Sequence, residues 1–268
     1  MILSPHNQLI IKEEFPSPLL KAPQEPTYEP TSQAYQDLQQ KFPVDLFSKS
    51  FMAGKSSIVH RVVTQPGNMR VVIKCLIIQK PNDQNELVYR ELEILQVLRH
   101  KLRLLESNVS DHFVSLLDWN KYWLDAKYWP IQPSESTLEN NANKKYQCAN
   151  LIFKDGGRPL SELVRGNYKI SVELYRIILF QLLYSLCKAQ EACEFVHNDL
   201  HLKNILIDFK HEEMNQFREY KNSKDNSPWF VDKSVHVTII DFGLSRITRD
   251  DGSSIHNTNV YSCFFTYL

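Results

Sequence analysis

The chain carries, at residues 197–204, the stretch His-Asn-Asp-Leu-His-Leu-Lys-Asn, and the tripeptide Asp-Phe-Gly follows at residues 241–243. The first stretch has the spacing H-x-D-x-x-x-x-N, and the tripeptide comes directly after the apolar run Val-Thr-Ile-Ile at residues 237–240. By residue frequencies, two such motifs meet by chance within about fifty residues in roughly one of several thousand cases. Their side chains therefore indicate a shared chemical task.

The polar side chains of these motifs suit the transfer of a phosphoryl group from ATP. That reaction requires a carboxylate beside the nucleophile, oxygen ligands for Mg²⁺ and a cation for the phosphates. Asp199 is the candidate that accepts or orients the hydroxyl of the substrate. Asn204, through its amide oxygen, and Asp241 are the candidate metal ligands, because Mg²⁺ prefers hard oxygen donors. The sequence thus predicts ATP and Mg²⁺ as cofactors.

Lys74 is the candidate cation, and it lies within the run Val-Val-Ile-Lys-Cys-Leu-Ile-Ile at residues 71–78. A lone lysine in such a strand usually extends its stem along an edge to reach water. Glu91 changes this interpretation, because it lies 17 residues on in a helical pattern and can hold Lys74 against the α- and β-phosphates. Glu93 is the competing carboxylate, and its position on the helix is the less favourable one.

The segment before Lys74 retains part of a glycine-rich phosphate loop. Placing the pattern G-x-G-x-x-G-x-V on Val59 puts Met52, Gly54 and Ser57 at the three glycine positions. Gly54 allows close approach of the backbone to phosphate, whereas the other two residues make a stiffer lid. The residues predicted to contact ATP are Met52, Gly54, Ser57, Val59, Val72, Lys74, Phe153, Lys154, Asp155 and Gly156.

The pattern along the chain predicts an α+β fold in two lobes. Seven of the 13 prolines fall within the first 43 residues, and residues 1–40 are expected to form a disordered tail. Residues 41–155 are expected to form an N-lobe with an antiparallel sheet and one helix. Residues 156–268 are expected to form a mainly helical, incomplete C-lobe. The pair Gly156-Gly157 is expected to act as a flexible joint.

Individual elements follow from hydrophobic periodicity. Clusters of β-branched residues between positions 58 and 73 flank a Pro-Gly turn and predict an antiparallel hairpin. Helices are predicted at residues 87–104 and 172–193, the second with Ser171 as N-cap and burial on most sides. Further strands are predicted at residues 113–117, 149–153, 205–207 and 235–240. The charged residues 208–233 are predicted to form an exposed insert.

Composition excludes several other classes. Lys and Arg number 31, as do Asp and Glu, so the overall charge does not indicate a nucleic-acid or membrane surface. The five cysteines are widely spaced and form no CxxC pair, which favours a reduced intracellular protein. The N-terminus does not have the pattern of a signal peptide. We therefore expect an intracellular monomer that binds neither membrane nor nucleic acid directly.

The motifs resemble the eukaryotic protein kinase superfamily over roughly residues 47–255, and within it the haspin family in particular. Three features carry the resemblance: His201 where most kinases have lysine, the helix sequence at residues 183–192, and Asp-Phe-Gly-Leu-Ser-Arg-Ile-Thr-Arg-Asp-Asp-Gly at residues 241–252. The resemblance implies a serine/threonine kinase that phosphorylates a threonine of the histone H3 tail on mitotic chromatin. It also implies a nuclear location and includes His201 among the catalytic residues.

Three departures from that family qualify the resemblance. Haspins generally have Asp-Tyr-Thr where this chain has Asp241-Phe242-Gly243. Asn198 replaces the arginine that reads a phosphorylated activation loop, so activity is expected to be independent of such phosphorylation. Only 16 residues follow Gly252, whereas the family continues for on the order of a hundred. The chain is therefore expected to be truncated at its C-terminus.

Two alternatives to a haspin-like protein kinase remain open on the sequence. A small-molecule phosphotransferase of the aminoglycoside or choline kinase type has a similar catalytic loop. A non-catalytic pseudokinase, or nucleotide-binding module, would follow from the short C-terminus. The partner expected for the leading interpretation is a protein substrate, with a histone tail in chromatin as the candidate.

Overall fold

The structure is a computed structural model that describes residues 52–53, 57–63, 70–79, 83, 86–105, 107–125, 145–166, 171–214, 216–221 and 225–256. Its first part is a five-stranded antiparallel sheet with the order β1-β2-β3-β5-β4. The strands are β1 (Met52–Ala53), β2 (Ser57–Val63), β3 (Arg70–Ile77), β4 (Leu116–Asp125) and β5 (Lys145–Lys154). The hairpin predicted from the β-branched clusters is confirmed as β2 and β3, in which Val59 lies opposite Lys74.

Alternation along β2 and β3 gives the sheet two different faces. Ile58, Val62, Val71 and Ile73 are buried in a cluster on one face. The opposite face carries Ser57, Val59 and Arg61 of β2 beside Val72 and Lys74 of β3, and all of these retain some exposure. This second face lines the cleft that is described below.

The helix α1 (Leu87–Leu105) packs with the sheet, and a short helix α2 (Ser107–Ser110) follows it. The apolar positions of α1 recur at helical spacing, and those that are buried include Val88, Leu92, Leu95, Leu98 and Leu102. The predicted helix at residues 87–104 is thus confirmed. The strand predicted at residues 149–153 lies in β5, but the one predicted at 113–117 begins only at Leu116. Phe113 forms an isolated parallel bridge to Ile239 instead.

The second part of the molecule is built around the helix α4 (Val172–Cys193). The strand β6 (Arg158–Pro159) and the helix α3 (Leu160–Arg165) precede it. The strands β7 (Ile205–Phe209), β10 (Val235–Ile239), β11 (Ile247–Thr248) and β12 (Ser254–Ile255) come after it. A three-stranded sheet has the order β10-β7-β6, and β11 pairs with β12. The prediction of an α+β fold with an antiparallel N-terminal sheet is confirmed.

The helix α4 begins as predicted, because the Ser171 hydroxyl accepts a hydrogen bond from the Leu174 amide at 3.1 Å. It is not buried on most sides, and this part of the prediction is wrong. Ile178 and Leu182 are buried against neighbouring elements, but Leu179 and Leu183 remain 43% and 62% exposed. The face that carries Ile178 and Leu182 packs against the core, further apolar side chains of α4 are partly buried beside it, and the opposite side of the helix is open within the described residues.

The insert between β7 and β10 contains a structured hairpin, which corrects the prediction of an exposed insert. The strands β8 (Phe217–Lys221) and β9 (Pro228–Asp232) pair in antiparallel register. Tyr220 is only 1% exposed and lies edge-on to Phe180 and Tyr184 of α4. The Tyr220 hydroxyl also donates to Nε2 of the buried His112 at 2.8 Å. The inward face of the hairpin is therefore part of the core.

The double glycine between the two parts is a close-packed crossing, so the prediction of a flexible joint is wrong. Gly157 has φ +101°, and a Cβ at this position would lie 2.2 Å from the carbonyl oxygen of Ile207. A Cβ at Gly156 would lie 2.9 Å from the Cβ of Thr238. Side chains are excluded here because the backbone runs directly against β7 and β10.

Candidate active site

The loop of residues 197–204 connects α4 to β7 and is fixed by a buried histidine. His197 is 4% exposed, and its Nε2–H donates to the carbonyl of Ile240 at 2.9 Å. Its Nδ1 accepts from the amide of Asp199 at 3.3 Å, and its carbonyl accepts from the Ser245 hydroxyl at 3.1 Å. Burial lowers the pKa of His197, which keeps the ring neutral. The loop and the segment after β10 are thus held together.

Asp199, His201 and Asn204 lie together on this loop. The Asn204 side-chain amide donates to the backbone carbonyl of Asp199 at 3.0 Å and lies 3.5 Å from its carboxylate. Nε2 of His201 lies 3.9 Å from the Asp199 carboxylate. Asn204 is buried, whereas the side chains of Asp199 and His201 are 40% and 48% exposed. The Asp199 carboxylate is therefore open to a substrate, while the Asp199 backbone is held by its hydrogen bond from Asn204.

Three further predicted residues meet across the cleft. Nζ of Lys74 on β3 lies 2.9 Å from both carboxylate oxygens of Glu91 on α1. The same nitrogen lies 3.0 Å from Oδ1 of Asp241, which follows β10 with φ +67°. Burial acts against the charge of Lys74, but Glu91 and Asp241 together raise its pKa above the ordinary value. Although burial acts in the opposite direction, Lys74 holds the pKa of Asp241 below its ordinary value.

Glu93, the competing carboxylate, has a different partner. Its Oε1 accepts from Nε of Arg249 at 2.8 Å and from Nη2 at 2.6 Å. Lys101 pairs with Asp250, and Arg90 donates to the carbonyl of His256 at 2.6 Å. The charged side chains of Glu93, Lys101 and Arg90 therefore hold the segment after Asp-Phe-Gly against α1, and these contacts need no added phosphate group.

Phe242 anchors the Asp-Phe-Gly turn, which carries the candidate metal ligand Asp241, in an aromatic cluster. The side chain is fully buried, with ring centroids 5.8 Å from Phe195, 5.6 Å from His197 and 6.2 Å from Phe113. Because Asp241 precedes this anchor directly, its left-handed backbone turns the carboxylate towards Lys74. Asn198, also in the left-handed region at φ +61°, donates to the carbonyl of Leu244 at 3.0 Å.

The structure describes most of the residues that are predicted to contact ATP. Val59 and Val72 lie on the cleft face of the sheet, and Met52 pairs with Val59 across β1 and β2. Ser57 begins β2, and Gly54 lies outside the described residues. Phe153 is buried in the core at the end of β5, Lys154 is exposed, and Asp155 and Gly156 follow.

Arg61 contacts this site and was not found from the sequence. Its Nε lies 3.0 Å from the Asp155 carboxylate, and its Nη2 donates to the carbonyl of Gly157 at 2.6 Å. Asp155 also accepts from the Gly157 amide at 3.0 Å. Arg61 thus joins β2 to the crossing between the two parts. Strand alternation from Val59 does place residue 61 on the cleft face, but it does not identify Asp155 as the partner.

The donor set suits Mg²⁺. Asp241 supplies a carboxylate whose lowered pKa keeps it ionised, and Asn204 supplies an amide oxygen. Because the nitrogen of the Asn204 amide is committed to the Asp199 carbonyl, its oxygen points to the other side of the amide group. Two hard oxygen donors with further positions left for phosphate and water are what Mg²⁺ binds in nucleotide sites.

The sheet with its lysine–glutamate pair, the catalytic loop and the Asp-Phe-Gly turn are the features of a protein kinase domain. A family model described as the haspin-like kinase domain matches residues 31–266. The chain therefore belongs to the haspin-like kinase family.

Individual relatives agree with this assignment. The serine/threonine-protein kinase haspin homolog of Drosophila melanogaster is 30% identical over 155 residues, which cover 56% of this chain and 24% of that protein. A probable serine/threonine-protein kinase of Dictyostelium discoideum is 37% identical over 34% of this chain and 8% of its own length. Mouse serine/threonine-protein kinase haspin is 35% identical over 37% of this chain and 12% of its own length. The chain thus spans at most about a quarter of these relatives.

No helix in the described part of the chain combines the length and the apolar character that crossing a membrane requires.

Proposed function

We propose that this chain transfers the γ-phosphate of ATP to a serine or threonine hydroxyl of a protein, in a reaction that depends on Mg²⁺. The observation that carries the proposal is the contact of Lys74 with both Glu91 and Asp241, at 2.9 and 3.0 Å. A cation held by one carboxylate and facing a second one is the arrangement that phosphoryl transfer requires for nucleotide phosphates and their metal ion.

In the proposed step, the acceptor hydroxyl oxygen bonds to the γ-phosphorus, and the bond from that phosphorus to the β–γ bridging oxygen breaks. Asp199 accepts the hydroxyl proton, the phosphate ester forms, and ADP leaves. Lys74 binds the α- and β-phosphates, while Glu91 keeps its ammonium group in position. His201, 3.9 Å from the Asp199 carboxylate, helps to orient it.

Asn204 and Asp241 are the residues that would hold Mg²⁺. When bound, this ion neutralises negative charge on the phosphates. Val59 and Val72 supply the apolar cleft surface for the adenine ring, and the crossing at Asp155 and Gly156 borders it.

A histone-tail threonine as acceptor and a nuclear location are the finer expectations that family membership suggests. The histone acceptor, the nuclear location and the transfer reaction are all proposals for this chain, because it matches only 24% and 12% of the length of the Drosophila and mouse relatives.

The proposal is tested with ATP labelled at the γ-phosphate. Acceptors are histones, an unrelated protein, and small alcohols and amines, and the enzymes are the native chain, Asp199→Asn and Lys74→Met. We expect label on protein serine or threonine with the native chain only. Label on small molecules alone would overturn the protein-kinase proposal, and binding of ATP and Mg²⁺ without any transfer would indicate a pseudokinase.

A further inference from the structure

Arg61 on the strand β2 reaches across the sheet to the crossing between the two parts of the molecule. The register places Arg61 opposite Val72 of β3, and Val72 lies opposite Phe153 of β5. Asp155 follows two residues after Phe153. The Arg61 side chain therefore passes over β3 on its cleft face to reach the Asp155 carboxylate at 3.0 Å. Its guanidinium group lies at the end of the cleft that Val72 lines.

The guanidinium group holds the crossing at two points. Its Nε lies 3.0 Å from the Asp155 carboxylate, and its Nη2 donates to the carbonyl of Gly157 at 2.6 Å. Asp155 also accepts from the Gly157 amide at 3.0 Å, so the residues on both sides of Gly156 are fixed. The planar fork of an arginine makes two directed contacts at once, whereas a lysine ammonium is a compact point charge. We refer to the contacts of Arg61 with Asp155 and Gly157 as the arginine clamp.

The crossing gives the arginine clamp a fixed base. Gly157 runs directly against β7, where a Cβ would lie 2.2 Å from the Ile207 carbonyl oxygen. The strand β2, by contrast, pairs with β3 on one side and with the two-residue strand β1 on the other. The clamp thus joins β2 to a backbone segment whose own position is set by close packing against the second part of the molecule.

The Asp155 carboxylate is nearly enclosed, which distinguishes this contact from an exposed ion pair. The side chain of Asp155 is 6% exposed, and that of Arg61 is 31% exposed. Loss of the cation would leave a charge unpaired where water hardly reaches it. The neighbouring cations Lys154 and Arg158 are exposed, and Arg158 pairs with Glu162 at 3.9 Å instead. Asp155 is therefore committed to Arg61.

The arginine clamp lies at the adenine end of the proposed nucleotide site. Lys74, which is proposed to bind the phosphates, lies opposite Val59 in the register of β2 and β3. Arg61 comes two residues after Val59 on the same face of β2, a distance of about 7 Å along the strand. Val59 and Val72, which are proposed to cover the adenine ring, lie between the clamp and Lys74. The clamp is therefore placed to act on the base and not on the phosphates.

We propose that Arg61 is a positioning residue for the nucleotide, whose clamp on Asp155 and Gly157 holds β2 closed over the adenine ring. This inference rests on the proposed kinase function and adds a residue to its nucleotide site. Without the clamp, β2 is displaced in a larger fraction of the molecules. The apparent dissociation constant of the nucleotide then rises as the fraction that is competent to bind falls.

The test measures the dissociation constants of ATP with Mg²⁺, ADP with Mg²⁺ and adenosine by titration calorimetry. For Arg61→Met, all three ligands are expected to bind more weakly by the same factor, about tenfold if the closed fraction falls to about a tenth. Lys74→Met is the contrasting variant, and it is expected to weaken ATP and ADP but not adenosine. Arg158→Met is the matched control, because this exposed arginine follows Asp155 by three residues, and it is expected to leave all three constants unchanged.

Two further variants separate positioning from stability. Arg61→Met leaves the Asp155 carboxylate buried without its cation, and this alone lowers the free energy of unfolding. The double variant Arg61→Met/Asp155→Asn removes both charges, so its urea midpoint is expected to return towards the native value while adenosine binding stays weak. Arg61→Lys is expected to recover part of the affinity, because it keeps the charge but lacks the fork. In transfer assays, Arg61→Met is expected to raise KM for ATP about tenfold and to change kcat less than about twofold.

The possible outcomes distinguish this inference from the kinase proposal. Unchanged binding of adenosine and ATP by Arg61→Met would overturn the role of the clamp and leave the kinase proposal standing. Weakening of ATP alone would also overturn it, since Arg61 would then act at the phosphates. Recovery of adenosine binding together with stability in the double variant would reduce the clamp to a structural contact. Nucleotide binding by the native chain without phosphate transfer would overturn the kinase reaction alone, and absence of nucleotide binding would overturn both.

Discussion

The two charged regions of the cleft differ in how far water reaches them. The side chains of Lys74 and Glu91 are 17% and 5% exposed, and those of Asp199 and His201 are 40% and 48% exposed. In the buried region each charge has its partner within the protein, so removing one partner leaves the other charge buried and unpaired. In the open region the charges face the solvent, so they are available to a substrate. Substitutions in the two regions are therefore expected to have different consequences.

The largest effect is expected for Asp199→Asn. Loss of the proton acceptor is expected to lower the rate of phosphate transfer by about 10²- to 10⁴-fold. The free energy of unfolding is expected to change by less than about 0.5 kcal/mol, because the side chain is open to water. Single-turnover transfer and urea unfolding measure the two quantities. A large loss of stability would show that the open region also supports the fold.

Lys74→Met is expected to affect both activity and stability. It leaves Glu91 buried without its cation, which costs about 3–5 kcal/mol in the free energy of unfolding. Lys188→Met is the matched control, since Lys188 is 13% exposed, much like Lys74, but its partner Glu191 at 3.1 Å is 46% exposed and stays hydrated when the cation is removed. We expect that variant to lose only about 0–1 kcal/mol. Equal destabilisation of the two variants in urea would show that burial of the carboxylate does not decide the cost of removing its cation.

His112 extends the comparison to a buried group that folding keeps uncharged. Burial lowers the pKa of this fully buried histidine to about 4, compared with 6.5 for the unfolded chain. The unfolded chain therefore binds the proton more readily than the folded one. The contribution of His112 to the free energy of unfolding is complete above pH 6.5 and decreases as the pH falls towards 4. The slope from this group is about 1.4 kcal/mol per pH unit.

The pH dependence of urea unfolding checks this expectation. His112→Gln is expected to reduce the slope between pH 6.5 and 5 by about one proton. Part of the slope remains, since burial also lowers the pKa of His236, whose ring centroid lies 4.9 Å from that of His112. An unchanged slope would show that His112 is not the titrating group.

A smaller effect is expected for the contact between Glu93 and Arg249, whose side chains are 34% and 36% exposed. Glu93→Arg or Arg249→Glu alone is expected to lower the transfer rate by about 1.4- to 5-fold, because like charges loosen the segment after Gly243 from α1. The double variant restores the opposite charges and is expected to recover most of the rate. If the double variant does not recover activity, loss of the contact between Glu93 and Arg249 is not the cause of the lower transfer rate in the single variants.

The smallest effect is expected from phosphatase treatment. Asn198 makes a hydrogen bond to the Leu244 carbonyl in place of a cation, and encoded ion pairs hold the following segment. No phosphate is then needed to order that segment, and the transfer rate is expected to stay the same. Loss of activity after treatment, with heat-inactivated phosphatase as control, would contradict this.

Features carried by local patterns could be predicted from the sequence. The hairpin at β2 and β3 follows from β-branched clusters around a turn, and both long helices follow from apolar residues at helical spacing. The pair of Lys74 and Glu91 could be anticipated, because a strand followed directly by a helix leaves few ways to place the two side chains. The roles of these residues in catalysis stay predictions.

Features that depend on distant partners could not be predicted. The many charged residues between positions 208 and 233 predict an exposed insert, but Tyr220 within it is buried because α4 and His112 pack against it. Arg61 gives no signal by itself, since its partner Asp155 lies 94 residues on in the sequence. The outward face of α4 depends on which elements cover it, and a hydrophobic pattern alone does not determine that.

The close-packed crossing at Gly157 has a consequence for inherited variation. A single methyl group there would collide with the Ile207 carbonyl, and the positive φ disfavours every other residue as well. Almost every nucleotide change that alters this codon is then harmful to folding, and selection is expected to remove it. Glycine at this point is therefore expected to persist among descendants of the gene after the surrounding residues have diverged.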